Sequence, residues 1–432
     1  MSEPIRLDAR AHRAFQEGVD PNALDVTQRL SEAGYQALLV GGCVRDLLLG
    51  LTPKDFDVAT SATPEEVHQL FRRSRLVGRR FRIAHVRYGR NLIEVSTFRR
   101  AHPTEQDERH HSEEGLILRD NAYGTLEEDA FRRDFTINAL YYDPETAEVL
   151  DFVGGLEDLN NADLKFIGDA PVRLREDPVR VLRAVRFQAK LNFILDPAIT
   201  RQFEDAAARL SAIPAARMFD EVSKLLMSGC AARAWSLIAP TPLREALFPS
   251  TPADEEIVHL AMANTDARIA QDKPVTPGFL LAVLMWPEYT ALSNELIETK
   301  KPAEARTLAA AQMLAQQQQI IAIPRRFSQF VRDVWGLQGR LEARYARYVE
   351  RVAQHPRFRA AYDFLLLRAE TGEQSESGQP LQEIADWWTT YQAESEDVRQ
   401  EMVSARRPSP PKKRRRRRSS RRGKQPSPQA DG

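Results

Sequence analysis

Two aspartates near the start of the chain, Asp55 and Asp57, are separated by one phenylalanine in the stretch DFDVAT. In a β-strand, residues i and i+2 face the same side, so both carboxylates would project together, about 6.5–7 Å apart along the backbone. Paired carboxylates suit divalent metals, and two such metals can stabilise the attacking and leaving oxygens of a phosphoryl displacement. Glu94, on a neighbouring predicted strand, is the candidate for a third carboxylate. A D-x-D pattern alone is also common on surfaces, so this interpretation needs support.

The support comes from Gly41 and Gly42, which follow an apolar stretch and precede Arg45 and Asp46 in GGCVRD. Glycine has no side chain, so backbone N–H groups can approach a phosphate closely, and a helix N-terminus favours negative charge. Two glycines alone would indicate only a strand–helix turn. Combined with D-x-D at short spacing, they predict a phosphate-binding turn beside a metal site.

The elements that would position these residues alternate between strands and helices. The hydrophobic pattern predicts an irregular segment over 1–22, a polar loop over 100–129 and one α/β domain over 23–155. Within that domain the predicted elements are a helix at 23–35, a strand at 37–40, a helix at 44–50, a strand at 55–60, a helix at 63–71, a hairpin at 85–98, a helix or strand at 135–143 and a strand at 148–153.

Beyond Pro171 strand signals nearly vanish, which predicts an all-helical neck over 156–230 and a helical body over 231–395. Residues 396–432 end in a Ser/Pro/Arg low-complexity tail that is expected to be disordered. The predicted helices are 179–191, 198–210, 217–228, 254–268, 303–323, 326–353, 357–370 and 381–394.

Charge is unevenly spread along the 432 residues, although the chain has 61 basic and 61 acidic residues and no net charge. Segment 404–432 holds 12 of the basic residues and one of the acidic residues, which leaves a net charge of about −11 on the rest. Such a basic tail on an acidic body points to a partner with phosphates, while the plainer interpretation is a solvated, solubilising tail.

The composition argues against two classes of protein. The longest apolar runs are too short to span a bilayer, and the N-terminus does not resemble a secretory signal. The two cysteines, Cys43 and Cys230, form no zinc-binding spacing, so we expect free thiols in a reducing compartment. These features predict a cytoplasmic protein without an integral membrane segment.

Five ordered stretches resemble the motifs of the class II nucleotidyltransferases of the polymerase-beta superfamily, which includes tRNA CCA-adding enzymes and bacterial poly(A) polymerases. The stretches are GGCVRD, DFDVAT, EVSTFRR, RRDFTINALYYD and REDPVRVLRAVRF. The resemblance implies a polymerase-beta-like head with a mixed sheet, followed by the helical neck and body.

The polyadenylating branch is favoured by RLVGRRFRIAHV (75–86), by IPRRFSQFVRDVWGLQGRLEAR (323–344), by HPRFRAAYDFLLLRAE (355–370) and by the Arg-rich C-terminus. The resemblance therefore implies template-independent addition of AMP from ATP to RNA 3′ ends, with release of pyrophosphate, in the turnover of mRNA, regulatory RNA and decay fragments. A CCA-adding tRNA nucleotidyltransferase is the alternative within the class. A non-catalytic RNA-binding adapter is the alternative outside it.

In this family Asp55 and Asp57 would hold two Mg²⁺ ions, with Glu94 as the structural candidate for the third ligand. Asp134, in the RRDFT stretch, is the other carboxylate that such families place at the active site, and the sequence does not rank the two. ATP would contact a further set of residues, which includes those of the glycine turn. They are Gly41, Gly42, Arg45, Asp46, Arg132, Arg133, Asn138, Asp177, Arg180, Arg183 and Arg186.

Two ambiguities accompany these assignments. Asp46 could instead anchor Arg45, and Asn138 could simply hold its own motif together. Asp177 and Arg180 would sit on one helix face and read the adenine base, since a carboxylate accepts from N6 and an arginine donates to N1. The alternative is an intrahelical ion pair between them.

The tail is expected to bind the RNA backbone without reading sequence, and to lose affinity steeply with salt. Its candidate residues are Lys412, Lys413, Arg414, Arg415, Arg416, Arg417, Arg418, Arg421 and Arg422. RNA-decay enzymes or an RNA chaperone are further candidate partners, and the expected oligomeric state is a monomer.

Overall fold

The computed structural model describes residues 3–78, 82–100 and 123–406, together with the backbone of 110–111 and 117–119. The chain forms two compact units, Met1–Gly336 and Leu337–Gly432. This division does not coincide with the predicted limits at 155, 230 and 395, so those limits stay a prediction.

The described part of the chain contains twelve strands. They are β1 Ile5–Asp8, β2 Ala37–Val40, β3 Asp57–Thr60, β4 Ser74–Val77, β5 Ile83–Tyr88, β6 Asn91–Thr97, β7 His110–His111, β8 Ile117–Arg119, β9 Leu140–Asp143, β10 Glu148–Asp151, β11 Asp163–Leu164 and β12 Ile194–Leu195.

Eight of these strands form one sheet in the order β1-β10-β9-β2-β3-β6-β5-β4. Its neighbours pair antiparallel except for β3 and β6, which are parallel, so the predicted mixed sheet is confirmed. Val40, Ala59 and Tyr141 lie on one face of this sheet and pack against Leu126 and Ala130. That face therefore has a buried core directly beside the strand ends that carry the candidate site.

The described part of the first unit also contains seventeen helices, and α18 Arg325–Ala343, which belongs partly to the second unit, crosses the division at 336. They are α1 Arg13–Glu17, α2 Pro21–Glu32, α3 Gly42–Leu48, α4 Pro64–Leu70, α5 Leu126–Arg132, α6 Gly155–Asn161, α7 Ala170–Glu176, α8 Arg180–Leu191, α9 Pro197–Thr200, α10 Phe203–Arg209, α11 Ala215–Leu226, α12 Ala231–Ile238, α13 Pro242–Leu247, α14 Glu256–Ala270, α15 Pro277–Leu284, α16 Trp286–Ile297 and α17 Pro302–Ile320.

As far as Arg406, the second unit is built from the end of α18 Arg325–Ala343 and from four further helices. These are α19 Val349–Ala353, α20 Phe358–Glu370, α21 Leu381–Ala393 and α22 Glu396–Ser404. Trp388 lies at the centre of its apolar core, fully buried, and its indole N–H donates to the Leu341 carbonyl at 2.9 Å. None of the described helices is both long and apolar enough to cross a membrane.

The sequence predictions hold best where local signals are strong. Helix α4 begins at Thr63 with a complete capping box, in which Thr63 and Glu66 satisfy each other's backbone N–H groups. The hairpin predicted over 85–98 is β5 and β6, and the strand at 37–40 is β2. The predicted helices of the second half match α8, α11, α14, α17, α18, α20 and α21 to within a few residues, with two exceptions. The predicted helix 198–210 is divided between α9 and α10, and 326–353 is shared by α18 and α19.

Four predictions are wrong. Residues 1–22 are not irregular, because β1 pairs with β10 along its whole length. Part of the loop predicted over 100–129 belongs to α5. The neck is not purely helical, since β11 and β12 form a short parallel pair. The tail predicted from 396 begins with α22, and its expected disorder beyond Arg406 lies outside the described residues.

Candidate active site

The turn between β2 and α3 is built on Gly41, which has φ +83° and ψ −128°. Residues with a side chain rarely adopt this conformation, so the position requires glycine. A Cβ at Gly41 would also lie 3.7 Å from Nη1 of Arg133, and one at Gly42 would lie 3.6 Å from Nη2 of Arg45. The turn therefore brings bare backbone next to two guanidinium groups.

Arg45 lies at the base of this turn and is only 2% exposed. Its Nε and Nη2 donate to Oδ1 of Asp46 at 2.9 and 2.6 Å, and its Nη1 donates to Oδ1 of Asn138 at 2.6 Å. Asp46 thus anchors Arg45, which is one of the two roles predicted for it from the sequence. Asn138 joins the turn to the motif that follows α5, so these three residues fix the shape of the phosphate-binding turn.

The carboxylates lie at the edge of the same face. Asp57 is the first residue of β3 and is the direct register partner of Glu94 on the parallel strand β6. Directly paired residues on neighbouring strands project from the same side of a sheet. Asp55 precedes the strand, so the i, i+2 strand geometry predicted for the two aspartates is wrong, while Phe56 is buried as expected.

Burial raises the pKa of Asp57 to about 6, and repulsion from Glu94 and Asp55 adds to this effect, while Arg133 offsets part of it. Asp57 is therefore close enough to both of the other carboxylates to be repelled by them. Such a set of oxygen donors fits Mg²⁺, because a divalent cation would relieve that repulsion. Within the described ranges, no group of three or more His, Cys, Asp or Glu side chains is placed so that it could hold a metal ion without rearrangement.

Arg133 is held beside Asp57 by a buried network that the sequence reasoning did not find. Its Nε and Nη2 donate to Oδ2 of Asp129 at 3.1 and 3.0 Å, and its Nε also donates to the Tyr141 hydroxyl at 2.9 Å. That hydroxyl donates to the same Asp129 oxygen at 2.8 Å. Asp129 and Arg133 are i, i+4 neighbours, a signal that was missed because α5 was taken as a loop.

Asp134 turns towards the helices instead of towards Asp57. Its Oδ1 accepts from the Phe135 N–H at 2.9 Å, and its Oδ2 lies 2.8 Å from Nη2 of Arg183. Burial opposes the charged form, but Arg183 and Arg180 outweigh burial and lower the pKa of Asp134. The two candidates for the third carboxylate thus have different surroundings, Glu94 beside Asp57 and Asp134 beside α8.

Asp177 and Arg180 do not share a helix face, so that prediction is wrong. Asp177 ends α7 in an extended conformation, and α8 starts only at Arg180, because Pro178 interrupts the helical hydrogen bonding. The carboxylate of Asp177 accepts from Nη2 of Arg217 at 2.5 Å. Nη1 of Arg180 pairs with Glu176 at 2.9 Å. The alternative ion pair between Asp177 and Arg180 is therefore not the one that forms.

The predicted arginines cluster around this junction. Nη2 of Arg173, which the sequence reasoning missed, donates to the Arg132 carbonyl at 2.8 Å and also to the Arg133 carbonyl. Burial and the neighbouring Arg180 lower the pKa of Arg173 to about 10. Burial and Arg183 likewise lower the pKa of Arg186, whose guanidinium lies over the Phe187 ring at 4.9 Å.

Burial is the larger cause of the lowered pKa values of Arg173 and Arg186, and repulsion between neighbouring guanidinium groups adds to it. Guanidinium groups that depress each other's pKa values would be stabilised by a polyanion bound among them. The candidate site therefore combines a carboxylate edge for cations with an arginine cluster for an anion. The tail residues from Lys412 to Arg422 lie outside the described residues.

Comparison with family models places three matches along the chain. "Poly A polymerase head domain" matches residues 37–165, "Probable RNA and SrmB- binding site of polymerase A" matches 192–254, and "Polymerase A arginine-rich C-terminus" matches 298–422. The first match contains the glycine turn and all four candidate carboxylates.

Among curated proteins, poly(A) polymerase I of Salmonella typhimurium is 42% identical over 407 residues, which cover 91% of this chain and 87% of that protein. A CCA-adding enzyme of Geobacillus stearothermophilus is 39% identical over 249 residues, which cover 58% of each chain. The crystal structure of the Bacillus stearothermophilus CCA-adding enzyme in complex with CTP matches with a TM-score of 0.57 and 25% identity, over 91% of this chain and 90% of that one.

Proposed function

This chain belongs to the poly(A) polymerase I family of nucleotidyltransferases, and we propose that it adds AMP from ATP to RNA 3′ ends without a template. Its sequence similarity to a poly(A) polymerase I extends along most of the chain, whereas its sequence similarity to a CCA-adding enzyme covers little more than half. This difference in extent favours polyadenylation over CCA addition.

The observation that carries the chemistry is the direct pairing of Asp57 with Glu94 beside Arg133. Asp55, Asp57 and Glu94 would hold Mg²⁺. When bound there, Mg²⁺ would favour the ionised RNA 3′-hydroxyl and neutralise charge on the triphosphate. In this proposal Asp134 is a positioning residue that holds Arg183.

The remaining residues bind and orient the nucleotide. The Gly41–Gly42 turn and Arg133 would contact the triphosphate, since the glycines expose backbone N–H groups and Arg133 is fixed in place by Asp129. Arg45 acts through the turn that it stabilises. Correct placement of both reactants supplies much of the rate in such a transfer, which needs little covalent help from the protein.

Base selection is proposed for the junction between α7 and α8. Asp177 is 8% exposed and Arg180 is also 8% exposed, and both are fixed by neighbouring ion pairs. A fixed carboxylate can accept a hydrogen bond from the N6 amino group of adenine. Cytosine carries its amino group at a different position of the base. Arg183 and Arg186 extend the positive surface towards the phosphates or the RNA primer.

The first test is nucleotide selectivity. Purified full-length protein with Mg²⁺, ATP and a generic RNA should produce long A tails, and CTP should neither be required nor be incorporated efficiently. Gel analysis of a labelled primer measures both. A requirement for CTP and termination after C-C-A would identify CCA addition instead.

The tail carries a separate prediction. Removing residues 407–432 leaves α22 intact and deletes 11 basic residues. RNA affinity should fall, and the slope of log K against log salt should become shallower by about 0.7 for each lost phosphate contact. Fluorescence anisotropy across a salt series measures this slope, and an unchanged slope would mean that the tail does not contact RNA.

We further propose that the protein acts in the cytoplasm on mRNA, regulatory RNA and decay fragments. RNA-decay enzymes or an RNA chaperone are proposed partners, and the proposed oligomeric state is a monomer. Co-purification of the full-length protein before and after RNase treatment separates direct protein partners from those held through RNA.

A further inference from the structure

A second basic region lies in the head, far along the chain from the tail. Residues 67–93 contain eight arginines and neither aspartate nor glutamate. Much of this stretch folds into β4 and β5, at the outer edge of the eight-stranded sheet. The chain before the tail has a net charge of about −11, so this stretch without acidic residues is a local concentration of positive charge.

Three of these arginines lie together on one face. Arg75 is the register partner of His85, and the Arg87 N–H donates to the Arg73 carbonyl at 2.9 Å, which continues that register by one residue. Arg73, Arg75 and Arg87 line a cavity of ≈ 320 Å³ together with Ser74, His85 and Leu92. We call these three arginines the arginine strip.

The strip shares its face with the catalytic carboxylates. His85 is the register partner of Glu94, and Glu94 is the partner of Asp57, so one row runs from Arg75 across the sheet to Asp57. Register partners project from the same side. Three spacings between neighbouring strands separate Arg75 from Asp57, which is about 14 Å.

The strip has no internal charge compensation. Its three side chains are exposed, and none forms an ion pair with an acidic side chain in the described part of the chain. Arg73 and Arg87 are directly opposite one another, an arrangement of like charges that destabilises a strand pair. A bound polyanion would remove this cost, and exposed arginines are well suited to phosphates.

We propose that the arginine strip binds the phosphodiester backbone of the RNA a short distance upstream of the reacting 3′ end. This inference rests on the proposed function. A linear polyanion fits a row of guanidinium groups that leads to the carboxylates. In the proposed function the triphosphate has its own arginines, with Arg133 near Asp57 and Arg183 beside Asp134. A lipid surface would not explain why the row ends at Asp57.

The test removes the three charges in the full-length protein, as Arg73→Gln, Arg75→Gln and Arg87→Gln together. The matched control is Arg6→Gln, Arg10→Gln and Arg13→Gln, which removes three exposed arginines from the opposite edge strand, β1, and from the turn and helix that follow it. Both variants are titrated with labelled oligo(A) in EDTA across a salt series, and both are assayed for transfer to oligo(A) and to the dinucleotide ApA.

For the strip variant we expect roughly ten-fold weaker oligo(A) binding and a salt slope that is shallower by about 2, since each lost contact with a single strand contributes about 0.7. The KM for ATP and the KM for ApA should not change, because neither reaches the strip. The control variant should match the wild type. Replacing the three arginines with lysine should restore the slope, since lysine keeps the charge.

Three results would overturn the proposal: unchanged RNA affinity and slope, an equal loss in the control, or a change confined to the KM for ATP. Loss of binding to phosphatidylglycerol vesicles with normal RNA affinity would assign the strip to lipids and also overturn it. If the triple variant does not fold, the single variants should each lose about 0.7 of slope. Wild-type protein without transfer activity would refute the proposed function, while the binding titration still decides the strip.

Discussion

Replacing Asp57 with alanine is expected to lower AMP transfer to an RNA 3′ end by at least about a thousand-fold. Asp57 is the central carboxylate of the proposed metal site, directly paired with Glu94 and close to Asp55. Loss of a metal ligand removes several kcal/mol of charge stabilisation, and about 4 kcal/mol corresponds to this factor. Single-turnover primer extension at saturating RNA and ATP measures the chemical step directly.

The fold should survive this change. Burial and repulsion from Glu94 raise the pKa of Asp57 to about 6, so the ionised side chain is unfavourable in the metal-free protein at neutral pH. Asp57→Ala should therefore unfold at the same temperature as the wild type or at a higher one in EDTA. Glu148→Ala, which removes a carboxylate from β10 of the same sheet, is the control and should retain activity.

RNA affinity separates the two classes of function. We expect Asp57→Ala to bind oligo(A) nearly as tightly as the wild type, because the RNA-binding arginines lie elsewhere. Undiminished transfer by this variant would refute the metal role. A wild-type protein that binds RNA but transfers no AMP with any nucleotide would instead be an adapter with a transferase fold.

The parts of the fold that could be predicted depend on neighbours in the sequence. Three features each have a local physical cause that the residue types reveal: the turn at Gly41, the helix cap at Thr63 and the turn between β5 and β6. The placement of Glu94 opposite Asp57 was suggested by strand order, and the register of β3 and β6 agrees with it.

The parts that could not be predicted depend on distant partners. β1 is an edge strand with Ile5 60% exposed, so its stability comes from pairing with β10 and leaves little hydrophobic pattern. Asp177 is held by Arg217, forty residues away, and no spacing rule connects them. Asp129 was missed for a different reason, since α5 was taken as a loop and its i, i+4 relation to Arg133 was therefore overlooked, while only the fold brings it to Tyr141.

The distribution of arginines connects the site to the substrate. Around α8, burial and mutual repulsion lower the pKa values of Arg173 and Arg186. Asp134, together with Glu221 and Asp177, outweighs burial and raises the pKa of Arg183. A few carboxylates therefore hold the cluster in place without neutralising it. A triphosphate and an RNA strand would compensate the remaining positive charge, so the electrostatic energy of the cluster becomes favourable only when they bind.

A second large effect is expected at the third carboxylate, where Glu94 and Asp134 were the two sequence candidates. Glu94→Gln should lower transfer by about a hundred-fold or more at limiting Mg²⁺, because it removes a charged ligand beside Asp57. Its stability should not fall, since the Glu94 side chain is 49% exposed and its contact with His85 spans 3.3 Å. Rising Mg²⁺ should recover part of the activity.

Asp134→Asn is expected to behave in the opposite way. It removes the charge that pairs with Arg183 at 2.8 Å but keeps an oxygen that can accept from the Phe135 N–H. The free energy of unfolding should fall by about 1–3 kcal/mol, since the ion pair between the nearly buried Asp134 carboxylate and the partly exposed Arg183 is lost. The Mg²⁺ concentration that gives half-maximal transfer should stay near the wild-type value. If Asp134→Asn shifts that concentration and Glu94→Gln does not, Asp134 is the metal ligand, and the direct pairing of Glu94 with Asp57 has only a structural role.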